Sequence, residues 1–134
     1  MLRFLDTDIC VAFLRGSSPS VQDHLLQYPK STIRLPAIVV AELFYGLEKS
    51  AATRRHSMAL RQFIGSFQIA GFAQNAAAHY GRIRAILESK GQPIGANDYL
   101  VAATVIAEKG VLVTGNVKEF KNVPGLKLEN WLTK

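Results

Sequence analysis

Four acidic residues occupy positions from which their carboxylates could act together. Asp6 directly follows an apolar run typical of a strand, and Glu119 lies shortly after a second such run. Asp98 falls in the first turn of a segment rich in Ala and Val, and Glu42 interrupts an apolar stretch. In open parallel sheets, sites form at the carboxyl ends of the strands. Carboxylates gathered there repel one another unless a hard divalent cation joins them, so the pattern indicates a site for Mg²⁺ or Mn²⁺.

Each of these acids also has an ordinary structural explanation. Asp6 could belong to a turn, and Asp98 could favour a helix N-terminus through the helix dipole. Glu42 and Glu119 could be solvated surface charges. However, no basic residue adjoins Glu42 or Asp98 in the sequence to pair with it. The histidines show no spacing typical of zinc ligands, so the hypothesis of a magnesium or manganese site is preferred.

The elements that would position these acids alternate between strands and helices. Short apolar or alternating runs predict strands at residues 2–5, 32–35, 68–72, 111–114 and 126–128. Helical periodicity and capping residues predict helices at residues 9–15, 19–28, 36–47, 50–68, 73–90, 96–109 and 118–120. Helices between successive strands predict a mostly parallel sheet with helices on both faces. The expected fold is a three-layer α/β/α sandwich in a single domain over residues 1–134.

Composition narrows the class of protein. Of the 134 residues, 49% are hydrophobic and 19% are charged, which favours a folded domain over a disordered tail. The lone cysteine, Cys10, cannot form a disulfide within the chain, and its apolar neighbours predict a buried hydrophobic residue. No apolar run approaches the roughly 20 residues that cross a bilayer, and the N-terminus does not resemble a signal peptide. We expect a cytoplasmic protein with no membrane contact.

The charge balance depends on where the acids lie. The net charge is +6, and the acids that could share one pocket are Asp6, Asp8, Glu42, Asp98 and Glu119. The rest of the chain then has five acids against sixteen Lys and Arg. An acidic, metal-binding pocket in a basic surface suits the phosphodiester backbone of a nucleic acid. Candidates for phosphate contacts are Arg54, Arg55, Arg61, Arg82 and Arg84, although solvated helix faces explain them equally well.

Four segments resemble motifs of one family. Residues 5–9 (LDTDI) resemble the opening LDTN-I motif of PIN domains, and residues 41–46 (AELFYG) resemble their AELxYG helix. Residues 93–98 (PIGAND) resemble the PIGxxD segment of VapC toxins, and residues 113–120 (VTGNVKEF) resemble their T-x-N-x-x-E-F strand end. One such motif is weak, but four in the right order over the whole chain identify it as resembling a VapC-type toxin.

The resemblance implies a chemistry and a set of site residues. The implied activity is Mg²⁺- or Mn²⁺-dependent endoribonuclease cleavage of structured RNA, such as a tRNA anticodon loop. The acids carried over by position are Asp6, Glu42 and Asp98. A fourth contribution is expected from the turn at Asn116 to Glu119, and Thr7 and Thr114 are expected to supply supporting hydroxyls.

The resemblance also implies partners. These are a cognate VapB-type antitoxin, encoded beside the toxin, and a second copy of the chain. Apolar side chains on the first three helices predict a groove for an amphipathic antitoxin helix or for the dimer mate. They are Val11, Leu14, Val21, Leu25, Leu26, Phe44 and Leu47. A basic antitoxin side chain inserted among the carboxylates would compete with the metal.

Two positions depart from the family pattern. Asn116 stands where many PIN domains have Asp, and we expect Glu119, one helical turn later, to supply the missing charge. Asp8 stands where the motif often has Asn. We expect it mainly to cap the first helix.

Two other functions remain as alternatives. Asp6-Thr7-Asp8 also resembles the DxD motif of haloacid-dehalogenase-type phosphatases, but that family needs a later lysine, a second acidic pair and usually a longer chain. A non-catalytic RNA-binding PIN module is the second alternative. Inactive modules should lose one of the core acids, whereas Asp6, Glu42 and Asp98 are all present.

Overall fold

The computed structural model describes residues 1–133, in which strands and helices alternate. The strands are β1 (Arg3–Leu5), β2 (Ile33–Pro36), β3 (Gln68–Ala70), β4 (Val111–Val113) and β5 (Lys127–Glu129). The helices are α1 (Thr7–Arg15), α2 (Pro19–Gln27), α3 (Ala37–Glu48), α4 (Thr53–Ile64), α5 (Gln74–Ser89), α6 (Ala96–Ala107) and α7 (Val117–Phe120). Each predicted element is present. The largest difference is in α4, predicted at residues 50–68, which starts three residues late and ends four residues early. At its start, the Ser50 hydroxyl forms a turn by accepting from the backbone N–H of Ala52.

The strand order of the sheet determines which strands are neighbours and on which face each helix packs. All five strands are parallel, in the order β3-β2-β1-β4-β5. From β1 the chain builds outward through β2 to β3, then crosses back to β4 on the other side of β1. Right-handed crossovers therefore put α1 to α4 on one face and α5 to α7 on the other. The predicted α/β/α sandwich is confirmed, and the sheet is parallel throughout rather than mostly parallel.

The central strands are buried on both faces, as parallel strands in such a sandwich are. Phe4, Leu5, Leu112 and Val113 have no exposed surface. Cys10 on α1 is equally buried, as predicted, and burial raises the pKa of its thiol well above the ordinary value. Among residues 1–133, no helix is long and apolar enough to cross a membrane.

The C-terminal segment is tied to the start of the chain. Glu129, at the end of β5, accepts a hydrogen bond from the Arg3 guanidinium at 2.9 Å and another from the Trp131 indole at 3.1 Å. The buried Trp131 ring stacks against His24 and Tyr28 of the α2 region, with centroid distances of 5.2 and 5.6 Å. These contacts hold the edge strand β5 against the rest of the molecule.

Gly110, at the turn between α6 and β4, lies where a side chain has no space. An added Cβ would come within 2.4 Å of the buried Phe4 ring and 2.8 Å of the backbone oxygen of Leu2. We predict that Gly110→Ala lowers the free energy of unfolding by about 1–3 kcal/mol through overpacking, measured by urea denaturation. Gly81→Ala is the matched control, because this α5 glycine has nothing within 4 Å of an added Cβ. It should stabilise the fold by about 0.5–1 kcal/mol. Equal stability of the two variants would contradict this packing.

Candidate active site

The candidate site begins where the two neighbouring strands β1 and β4 end. Asp6 follows Leu5 and Thr114 follows Val113, so both side chains emerge at the same edge of the sheet. The Thr114 hydroxyl donates to Oδ2 of Asp6 at 2.7 Å, a buried contact, and the Asp6 backbone N–H donates to the Val113 oxygen at 2.9 Å. β1 and β4 flank the point where the strand order reverses, which is where open α/β sheets place their ligands.

Asp6, and not Asp8, caps α1, so the predicted role of Asp8 as the cap is wrong. Oδ1 of Asp6 accepts from the backbone N–H of Thr7 at 2.9 Å. The helix starts at Thr7, so the capping position falls on Asp6 directly after the strand. Asp8 instead accepts from the Gly115 backbone N–H through Oδ2 at 2.9 Å, and its buried Oδ1 has no hydrogen-bond partner among the described residues. Asp8 therefore fastens the first turn of α1 to the turn after β4.

Glu42 reaches the site from α3. Its half-buried carboxylate accepts a hydrogen bond from the Thr7 hydroxyl at 2.6 Å and a long one from the Asn97 amide at 3.5 Å. Although its neighbours in sequence are apolar, the Glu42 side chain is partly open to solvent. Its hydrogen-bond donors are neutral side chains of α1 and α6. Three helices meet at this carboxylate.

Asp98 and the turn at residues 116–119 form the opposite side of the site. Asp98 is half-buried in the first turn of α6. Its pKa is raised mainly by burial, and further by the negative charges of Glu119 and Glu42. The exposed Glu119 accepts from the Asn116 amide at 3.3 Å, and the Asn116 backbone N–H donates to the Thr114 hydroxyl at 3.0 Å. All the predicted site residues thus lie within hydrogen-bonding or electrostatic reach of another member.

Burial makes these carboxylates costly to ionise. Asp6, 8% exposed, has its pKa raised to about 6, mainly by burial and further by the charges of Asp8 and Asp98. The Thr114 and Thr7 donors oppose this shift in the pKa of Asp6. Burial likewise raises the pKa of Asp8, against the opposing Gly115 N–H. Buried acids whose charges raise one another's pKa are typical of sites that bind a cation.

The donor set fits a hard divalent cation. Asp6 is buried, Glu42 and Asp98 are half-buried and Glu119 is exposed, and all four supply carboxylate oxygens, the ligands that Mg²⁺ and Mn²⁺ prefer. The buried Oδ1 of Asp8 is a further oxygen without a hydrogen bond. In the described part of the chain, no three His, Cys, Asp or Glu side chains are already arranged to hold a metal ion. Mg²⁺ keeps several waters and often uses one or two carboxylates, so a pair such as Asp6 and Asp98 suffices.

Sequence reasoning missed two contacts of this site. The Asp8–Gly115 hydrogen bond joins residues 107 positions apart, and the Asn97–Glu42 bond joins residues 55 apart. Gly115 carried a usable signal, since an added Cβ there would lie 2.7 Å from Oδ2 of Asp8 and 2.4 Å from Leu132. A glycine directly after a strand-end threonine is typical of a place where another chain segment approaches closely.

Comparison with known proteins places this geometry in a family. The PIN domain family model matches residues 3–126. Ribonuclease VapC2 of Rickettsia felis is 42% identical over 132 residues, which cover 98% of both chains. The tRNA(fMet)-specific endonuclease VapC of Salmonella typhimurium is 33% identical and covers 98% of this chain and 99% of its own.

A solved structure agrees with these matches. The crystal structure of VapBC2 from Rickettsia felis bound to a DNA fragment from their promoter superposes with a TM-score of 0.92 at 41% identity, covering 98% of this chain and 99% of that one. The chain therefore belongs to the PIN-domain family and, within it, to the VapC ribonucleases.

Replacing Asp6 should separate stability from function. The pKa of Asp6 is raised from 3.8 to about 6 in the folded chain, so above about pH 6 its ionised carboxylate lowers the free energy of unfolding. This cost disappears as the pH falls towards 3.8, because the Asp6 carboxyl is then protonated in the folded chain and increasingly also in the unfolded chain. We predict that Asp6→Asn raises the free energy of unfolding by about 3 kcal/mol at about pH 8 in chelator and has little effect at about pH 4.

The measurement is urea denaturation across this pH range. Asp23→Asn, at an exposed position on α2, is the control and should leave the pH dependence unchanged. If Asp6→Asn is less stable than the wild type at every pH, the buried Asp6 carboxylate does not lower the free energy of unfolding.

Proposed function

We propose that this chain is a divalent-metal-dependent endoribonuclease, the toxin of a VapBC-type toxin–antitoxin pair, with Asp6, Glu42, Asp98 and Glu119 as its acidic site. The observation that carries the proposal is the Asp6 carboxylate. It is buried at the reversal point of the sheet with a raised pKa, and the charge of Asp98 acts on it. The names of the VapC relatives support ribonuclease chemistry at such a site.

The residues present suggest a division of labour. When bound, a divalent cation lowers the pKa of water and offsets the negative charge that builds on a phosphodiester. Asp6 and Asp98 would hold the cation, because Asp6 is the most deeply buried acid of the site and the negative charges of Glu42 and Glu119 act on Asp98. Thr114 and Thr7 orient Asp6 and Glu42 through their hydroxyls. Glu42 and Glu119 lie at the more open positions, where they can hold water or accept a proton.

The substrate and partners follow the relatives. A structured RNA such as a tRNA anticodon loop is the proposed substrate, because one relative is named a tRNA(fMet)-specific endonuclease. A cognate antitoxin is the proposed inhibitor, because the matching crystal structure is of a VapBC complex. We also propose a homodimer and a cytoplasmic location. Membership of the PIN family removes the phosphatase alternative, and retention of Asp6, Glu42 and Asp98 argues against an inactive module.

The central prediction is that RNA cleavage needs the cation and Asp6. Purified chain is incubated with total tRNA in Mg²⁺ or Mn²⁺, and the products are separated on a denaturing gel. We expect cleavage by the wild type, no cleavage in excess chelator, and a loss of at least about a hundredfold for Asp6→Asn, as for removal of a principal charge-stabilising group. Undiminished cleavage by Asp6→Asn or in chelator would contradict this chemistry.

The same assay ranks the two residues of the 116–119 turn. We predict that Glu119→Gln lowers the cleavage rate more than Asn116→Ala, because the charge of Glu119 acts on Asp98 whereas the Asn116 side chain only donates to Glu119. A Mn²⁺ titration should shift to higher concentration for Glu119→Gln. Equal titrations for Glu119→Gln and the wild type would remove Glu119 from the site.

A groove on the helical face suits the antitoxin. Its lining comes from α1, α2, α4 and the segments that follow α2 and α4. It is mostly apolar, with one cation among the described residues, Lys30, and we call it the apolar groove; its volume is about 620 Å³. The lining includes Phe13, Leu14, Leu25, Leu26, Phe63 and Phe67. Of the seven side chains predicted for this role, Leu14, Leu25 and Leu26 lie here. Val11 and Leu47, again with Leu14, line a larger groove between α1, α3 and α4, whereas Val21 is fully buried and Phe44 lines neither groove. An amphipathic antitoxin helix fits such a surface.

Leu26 tests this docking site. It is 86% exposed, so Leu26→Glu should leave the fold and RNA cleavage unchanged while placing a charge in the apolar groove. We predict that the variant needs at least tenfold more of the neighbouring gene product for half-inhibition of cleavage. Met58→Glu is the matched control, since Met58 is 71% exposed and does not line the groove. Equal inhibition of both variants would exclude the apolar groove as the antitoxin site.

A further inference from the structure

A second groove starts at the candidate active site and leads away from it. It lies between α1, α3 and α4, has a volume of about 1280 Å³, and is called here the long groove. Thr7, Glu42 and Asn97, which meet at the site, are part of its lining. This volume exceeds the roughly 300–1,000 Å³ of a typical small-molecule site. The long groove therefore suits an extended ligand that also reaches the acids.

Positive charge lines the groove at the far end of two helices. On α1 the groove is lined by the neutral Thr7 at the first helical position and by Arg15 at the last. On α3 it is lined by Glu42, and Lys49, seven residues later, lines it directly after the helix ends. At 1.5 Å per residue, each pair spans about 10–12 Å along its helix. Arg55 and His56 of α4 join the basic end, and Glu42 is the acid that lines the groove in the described chain.

An exposed aromatic ring lies between the two ends. Tyr45 lines the groove one helical turn from Glu42 and is 65% exposed. The Lys49 ammonium lies 4.5 Å from the centroid of its ring. An exposed ring beside cations is the combination with which proteins bind single-stranded nucleic acid, because bases stack on the ring and the cations contact phosphates.

We propose that the long groove binds the single-stranded RNA segment that leads into the acidic site. Arg15, Lys49 and Arg55 contact its phosphates, and Tyr45 stacks on a base. The proposal rests on the proposed function. Charge complementarity decides for RNA over the other occupants. A second copy docked here would bring the same three cations against each other. The long groove also has apolar side chains in its lining, from Val11, Leu14, Ile38, Leu43, Leu47 and Leu60, but it combines them with three cations, whereas in the described chain the apolar groove has one cation, Lys30.

The structure also separates the arginines that the sequence could not. Arg55 lines the long groove, whereas its neighbour Arg54 is exposed outside it. Arg61 lies over the Phe44 ring at 5.2 Å, and Arg84 pairs with Glu88 at 3.1 Å. Arg54 and Arg55 thus form a matched pair of adjacent, exposed residues of which one belongs to the proposed RNA path.

The test is RNA binding in chelator, which does not require cleavage. A short fluorescein-labelled single-stranded RNA is titrated with wild type and variants, and anisotropy gives the Kd at several salt concentrations. Arg55→Ala and Lys49→Ala should weaken binding and lower the slope of log Kd against log salt by about 0.7 each. Tyr45→Ala should weaken binding about five- to tenfold, and Tyr45→Phe should restore it. Arg54→Ala should bind like the wild type.

The outcomes distinguish this proposal from the function on which it rests. If the wild type cleaves tRNA but Arg55→Ala binds like Arg54→Ala, the long groove is not the RNA path and the nuclease function stands. If the variants lose binding as expected while no cleavage occurs in Mg²⁺ or Mn²⁺, the groove stands and the nuclease function fails. If light scattering shows that Tyr45→Ala or Arg55→Ala changes the oligomeric state at unchanged RNA affinity, the groove is an interface between copies and the proposal is overturned. Circular dichroism controls for folding of each variant.

Discussion

The site depends on one buried hydrogen bond, from the Thr114 hydroxyl to the Asp6 carboxylate. The two residues are 108 positions apart in the chain, and they meet because β1 and β4 are neighbours in the sheet. The same Thr114 oxygen accepts the backbone N–H of Asn116, and the second oxygen of Asp6 accepts the backbone N–H of Thr7. One hydroxyl and one carboxylate therefore set both the start of α1 and the turn that presents Glu119.

This arrangement opposes stability and function at a single residue. Asp6 is buried with two donors that only partly offset the loss of water, so its raised pKa records an unfavourable term in the free energy of folding. A neutral side chain would fit the fold better, yet only an ionised one attracts a cation. Unfavourable burial of a charged group is typical of active sites, where residues needed for activity lower the stability of the fold.

The sequence predicted the fold well because hydrophobic periodicity determines it. Every strand and α-helix lies where an apolar run or a helical pattern predicts one, with ends displaced by a few residues, whereas the short 3₁₀ helix Lys30–Thr32 lies where none is predicted. The place of the candidate site could also be predicted, because the carboxyl ends of parallel strands meet at one edge of a sheet. The capping role could not be assigned correctly, because Asp6 and Asp8 both follow the strand and both are good caps. Only the position of the Gly115 turn, fixed by a distant strand, decides between them.

The two grooves were equally hard to foresee. Leu14 lines both of them, and Arg54 and Arg55 are alike in sequence. Which side chains share a surface depends on how α1, α3 and α4 cross, and a helical pattern gives the face of a helix but not the neighbour it meets. The tertiary structure therefore adds what composition could not. It places three of the positive charges along a groove that reaches Glu42, and it gives the second groove a mostly apolar lining.

The order of the strands has a consequence for how the protein is made. β1, which precedes the other four strands in the chain, occupies the centre of the sheet and pairs on one side with β4, through Arg3 and Val111. Pairings of such sequence separation form late, because the intervening chain must first be closed into a loop. Asp6 can meet Thr114 only after residues 111–116 have been synthesised. A nascent chain thus carries Asp6, Glu42 and Asp98 before the site can assemble, and its nucleolytic potential appears only after β4 and the turn that follows it have been made.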